Sequence, residues 1–279
     1  MPNVIGNQPD DIPVDKNRLT MNKIISTIIL LLFCSDFFSQ DSLKSKKILI
    51  VATNIDLVGK NESGTYLYEI AYPFQYFIDN GYDVDILTPK GGQTAIYPKE
   101  YAGPGLGKIQ RSDLFIAKTK NSLSPIEVKD TAYVAVFYPG GHGQYFDVIN
   151  NERISLMTAK IYENGGVIGT AGHGAASLVN IKLSNNKNFV DGKKMTCFPH
   201  WAELQSMHIS DYGKLLPFDM EEVLAKKGAN LIFCTKGTKQ GMGLTTIIDD
   251  KNRMVTGAFA GDAQMVAEEM VKLLRLTKK

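Results

Sequence analysis

Cysteine is scarce in this chain: three among 279 residues, at positions 34, 197 and 234. Three thiols cannot form a disulfide framework, and there is neither a CxxC pair nor a Cys/His spacing suited to zinc. Histidine is nearly as sparse. His142, His173, His200 and His208 show no HxH or HExxH spacing, so the sequence gives no expectation of a metal. Charge of one sign is missing too, with 31 Lys and Arg against 29 Asp and Glu. That balance, without basic clusters carrying interleaved aromatics, gives no reason to expect nucleic acid or an anionic membrane as partner. The short "GPGLG" at 103–107 is no dinucleotide fingerprint, because no strand precedes it and no helix is expected to follow at the right place. No cofactor is expected.

One long apolar run is present, near the N-terminus. Lys23 precedes Ile24 to Cys34, and Ser39, Gln40 and a charged stretch follow. The run is too short to span a bilayer comfortably and has the layout of a secretory signal peptide. Residues 1–40 are therefore expected to be an N-terminal extension and signal, with Met21 the natural start and cleavage near Gln40; an uncleaved anchor and a lipid-attached Cys34 are the competing readings. Export to the periplasm or medium would leave 41–279 as one domain, with no membrane contact after cleavage.

Beyond Lys46, short β-branched runs alternate with amphipathic helical patterns. "KKILIVAT", "DVDILTP", "YVAVFYPGG" and "VIGT" read as buried strands, and "KKMTCF" and "NLIFCT" as further ones. "TYLYEIAYPFQYFIDNG", "ERISLMTAKIYENGG", "FDMEEVLAKKGA" and "DAQMVAEEMVKLLRL" read as helices, and "LTTIIDDKNRMVTGAF" as a hairpin turning at Lys251-Asn252. The stretch from Gly92 to about Asp130 has no clear period and reads as an insertion over a sheet edge. The alternation implies an α/β fold: a doubly wound, mostly parallel sheet with helices on both faces. Ligands bind such sheets beyond the carboxyl ends of the strands. Three loops fall there: Asn54 to Ser63, "PGGHG" and "AGHG".

The last of these is part of "GGVIGTAGHGAASL", a strand running into a sharp glycine corner and a helix start, with Gly172 at the apex. "VFYPGGHGQYFDV", "GTAGHGAASLVN" and "DGKKMTCFPHWAE", in that order, resemble the ThiJ/PfpI superfamily, the class I glutamine amidotransferase-like group of flavodoxin-like domains. "ESGTYLYEIAYPFQYFIDNGYDVDILTPKGG" is similar to the branch of heat-shock-type chaperones and glutathione-independent glyoxalases (glyoxalase III, or D-lactate dehydratase). The resemblance implies an elbow cysteine followed by a histidine, a carboxylate beside the cysteine and an acid orienting the histidine. It carries over to Glu69, His173 and Glu203, with oxyanion-binding amides at Gly141 and His173. Gly140, His142 and His200 are implied at the pocket, and the nucleophile's position is occupied by Gly172.

Glycine cannot attack a carbonyl, so cysteine-dependent chemistry is not expected. It does suit a strained elbow apex. Alternatives remain for the other positions. A Glu amid Tyr66, Leu67, Ile70 and Ala71 ordinarily faces solvent; in a pocket its pKa would rise. His173 is read equally as a structural partner of Glu203 or as a catalytic base. Cys197 and Cys234 are expected in the core, and Ser177 and Thr170 in packing. The first expectation is a pseudoenzyme or small-molecule-binding module with a carbonyl ligand. The second is a cysteine-independent lyase or hydrolase using Glu69 and His173–Glu203, and the third a holdase-type chaperone. A homodimer is implied by the resemblance alone.

Overall fold

A computed structural model of the chain describes residues 46–100, 103–206, 212–237, 239–241 and 243–276. The expected extension and signal at 1–40, including Cys34, lie outside them, as does His208. Among the described residues no helix is long and apolar enough to cross a membrane.

Six strands form the central sheet: β1 (Lys47–Val51), β2 (Asp83–Leu87), β3 (Tyr133–Tyr138), β4 (Val167–Ala171), β5 (Thr246–Asp249) and β6 (Met254–Gly257). They lie in the order β5-β6-β4-β3-β1-β2, and every pairing is parallel except β5 with β6. The β5–β6 hairpin turns where expected. The interior strands read as unbroken apolar runs because both faces are covered. One face is packed by α1 (Leu67–Asp79) and the C-terminal helix Ala263–Leu276, through Phe74, Phe77, Val266 and Met270. Glu152–Glu163 and Met220–Lys226 cover the other face, through Ile154, Met157, Met220 and Leu224. Each such side chain contributes about 2 kcal/mol of burial.

Three regions depart from the sequence expectation. The 92–130 insertion is ordered by two short helices, Pro104–Gln110 and Asp113–Lys120, the first starting inside "GPGLG" with proline in its first turn. "KKMTCF" and "NLIFCT" pair only at Lys194–Met195 and Asn230–Leu231, in a separate two-stranded ribbon. Past that pairing no second layer covers the chain among the described residues, and Ile232 and Phe233 are exposed and Cys234 half-buried rather than in the core. The elbow continues as a 3₁₀ turn, Gly172–Leu178, in place of an α-helix.

From β1 the chain moves outward to β2 and then crosses back to β3, which lies on the other side of β1. The strand order thus reverses at β1 and β3, and their carboxyl ends open the crevice in which such folds bind ligands.

Candidate active site

β4 ends at Ala171, and Gly172 turns the chain with φ +49°. A side chain there would adopt the left-handed region at a cost of about 1–2 kcal/mol. The space is also taken. A Cβ built on Gly172 would lie 2.5 Å from Glu69 Oε1, and one built on Gly140 would lie 2.5 Å from Glu69 Oε2. Two bare α-carbons therefore form a cradle that the Glu69 carboxyl fills.

Glu69 reaches the cradle from the first turn of α1, at the edge of its buried arc and one turn before Pro73, and is 3% exposed. Burial pushes its pKa well above the usual carboxylate range. The negative field of Asp262 adds to the rise, while the Gly140 amide, donating to the carboxylate, works against it. Glu69 is accordingly a protonated acid over a wider pH range than a surface carboxyl. Asp262, fully buried, is held by the backbone N–H groups of Gly243, Thr245 and Phe259 and by the Thr245 hydroxyl. Sequence reasoning missed it, because an acid opening a C-terminal helix ordinarily reads as a simple helix-start residue.

Beside the elbow, His173 Nε2 lies 2.6 Å from Glu203 Oε2, the acid coming from α2 (His200–Ser206). His142, in the turn after β3, sets its own Nε2 3.3 Å from the other oxygen, Glu203 Oε1. Burial would raise Glu203, yet the hydrogen bonds and charges of His142 and His173 hold it well below the usual range. Burial lowers the pKa of His173, helped by the nearby His142 and opposed by Glu203, so the neutral imidazole is favoured. The two imidazole rings sit 4.4 Å apart, and Phe198 packs 4.4 Å from the His173 ring.

These groups surround a cavity of about 290 Å³, whose lining includes Glu69, His142, His173, Tyr66, Tyr97 and Phe198. Ser63 and Gly64 from the loop after β1, Gly141 after β3 and Gly172 after β4 complete it, so the three expected loops do converge. The wall is mostly apolar, with Tyr66, Tyr97 and Phe198 in it, and its ionisable groups include two imidazoles and a buried acid. Such a pocket suits a small molecule with one or two oxygens.

The remaining expectations divide. Gly140 lies beneath Glu69, forming the cradle. His200 does not line this cavity: its Nδ1 binds Asp219 Oδ2 at 2.7 Å, and with Glu203 it lines a smaller cavity of about 190 Å³. The ring is drawn away because the start of α2 runs along Asp219 and Glu221, with the His200 N–H donating to Glu221. Cys197 is a buried thiol whose pKa burial pushes up, and it has no place in the site. The Ser177 hydroxyl donates to Gln144, and Thr170 is buried in the sheet.

Known proteins match this arrangement at the level of family. The profile described as the DJ-1/PfpI family matches residues 62–273. The chain belongs to the DJ-1/PfpI family. A probable glutathione-independent glyoxalase of Schizosaccharomyces pombe, hsp3103, is 27% identical over 247 residues, spanning 77% of this chain and 92% of that protein. The protein/nucleic acid deglycase HchA of Staphylococcus aureus is 25% identical over 248 residues, spanning 81% of this chain and 78% of the relative. Among solved structures, the Rapid Encystment Protein 24 kDa of Francisella tularensis superposes with a TM-score of 0.71 at 27% identity, covering 82% of this chain and 99% of that one. Glyoxalase III of Candida albicans has the same fold, with a TM-score of 0.69 at 23% identity over 82% of this chain and 97% of its own. The DJ-1/PfpI relatives thus include glyoxalases and a deglycase.

Proposed function

We propose that this DJ-1/PfpI protein binds a small carbonyl compound in the elbow cavity and has given up cysteine-dependent turnover, making it a pseudoenzyme of the glyoxalase branch. The reading rests on Gly172: a glycine stands at the elbow apex, and the Glu69 carboxyl fills the space its side chain would need. No described cysteine lines the cavity that could take over the attack. A protonated Glu69 donates a hydrogen bond to a carbonyl or hydroxyl oxygen, and the tyrosine and phenylalanine walls cover the carbon skeleton. The names of the relatives point to small carbonyl chemistry.

Saturation-transfer NMR with hydroxyacetone, a small ketone that lacks the aldehyde of methylglyoxal, tests the binding. The parent should show transfer that Glu69→Ala weakens at least tenfold in affinity, and equal signals from both proteins would contradict the reading. A second reading is water-dependent acid–base catalysis by Glu69 and His173–Glu203. It is favoured by a carboxyl whose pKa burial raises and an imidazole whose pKa burial lowers, both lining one cavity. Export is proposed alongside, on the apolar run before Cys34. N-terminal sequencing of the secreted protein should then begin near Asp41, and an intact Met21 start in the soluble cytoplasmic fraction alone would refute export.

A further inference from the structure

We propose that His142, His173 and Glu203 form a binding site for one divalent transition metal ion of the zinc type, opening onto the elbow cavity. The three side chains come from three separate segments, the turns after β3 and β4 and helix α2, which is why no spacing motif announces them. Their ligating atoms all lie within 4.8 Å of one another. Both Nε2 atoms are turned on the same carboxylate, one on each oxygen, at 2.6 and 3.3 Å. An acid–base pair needs a single imidazole on its carboxylate. A second imidazole converging on the same group gives two nitrogens and one oxygen around a common point, a donor set that zinc, iron(II) and cobalt(II) take.

The dimensions suit that ion. Zn–N and Zn–O bonds of about 2.1 Å put tetrahedral donors about 3.4 Å apart, so no pair within the 4.8 Å limit need close by more than about 1.4 Å, and the 2.6 Å pair opens slightly. Small rotations of a half-buried His142 supply that movement. In the metal-free protein each Nε2–H donates to Glu203; on binding, each imidazole keeps its proton at Nδ1 and presents a bare Nε2, and the ion takes the place of both hydrogen bonds. His142 and His173 line the elbow cavity and Glu203 the smaller cavity beside it, so the ion would sit between the two. Three protein ligands with an open position are the arrangement of catalytic zinc centres, in which water or a carbonyl oxygen completes the sphere. The set prefers nitrogen-binding ions to calcium or magnesium.

Zinc alone is the probe. The full chain, stripped with a chelator and then freed of it, is titrated with Zn²⁺ by calorimetry, and Co²⁺ uptake is followed by its visible absorption. One ion per chain should bind saturably. His142→Ala and Glu203→Gln should each weaken binding at least tenfold and alter the Co²⁺ spectrum. His200→Ala, which removes the only other described histidine with a carboxylate partner, should leave both within twofold. Circular dichroism checks that each variant is folded; if Glu203→Gln does not fold, His142→Ala, on the cavity wall, decides the matter. No saturable uptake by the folded parent, or an affinity lost with His200→Ala and kept in His142→Ala, would overturn the proposal.

Discussion

At the scale of single residues, Gly172 and Glu69 are coupled through shared space. Any side chain at 172 must accept φ +49° and displace the Glu69 carboxyl. Gly172→Ala should therefore lower stability by about 1–3 kcal/mol, read as a drop in the denaturant midpoint with unchanged slope. Glu69 makes a separate prediction with a definite sign. Its folded pKa is raised, so at intermediate pH the native state holds the extra proton. Stability then falls as pH rises from the unfolded carboxylate value of about 4.3 through the raised one. Glu69→Gln removes that loss. Melting temperatures of variant and parent should coincide at about pH 4 and separate in favour of the variant as pH rises toward about 8. A constant difference across that range would show that Glu69 is not protonated in the fold. The apex and this acid were both legible in the sequence, the first as a glycine corner and the second by resemblance. Its helical position fits burial as well as exposure, so periodicity alone leaves its direction open.

Elements explain where legibility ended. β1 to β4 could be read because parallel interior strands need continuous apolar runs, and "KILIV" and "YVAVFY" are such runs. "NLIFCT" has the same composition yet pairs over two residues only, since whether an apolar run is covered depends on a partner layer far away in sequence. Asp262 was hidden for a similar reason. Its four donors lie in the 243–245 loop and at Phe259, and the fold alone brings them together. Removing it strands three backbone N–H groups, two of them buried, and a buried hydroxyl. Asp262→Ala should cost about 3 kcal/mol, loosening the 243–245 loop first, with faster amide exchange at Thr245 as the local readout.

For the molecule as a whole, the crossing from β1 past β2 to β3 creates the crevice, and three loops far apart in the chain line it. The order of strands and helices was enough to place those loops at one end of the sheet. The meeting of His142 with His173 on Glu203 was not readable, because it depends on distances between loop ends that no spacing rule encodes. On the proposed reading, fold and activity separate: the sheet, the elbow and the histidine–glutamate pair stay while Gly172 offers no attacking atom. Methylglyoxal consumption by the purified protein, with Gly172→Cys and Glu69→Gln alongside, tests this most directly. The account predicts a parent indistinguishable from the protein-free control and a Gly172→Cys variant that rises above it. A parent that consumes methylglyoxal and loses that activity with Glu69→Gln would contradict it.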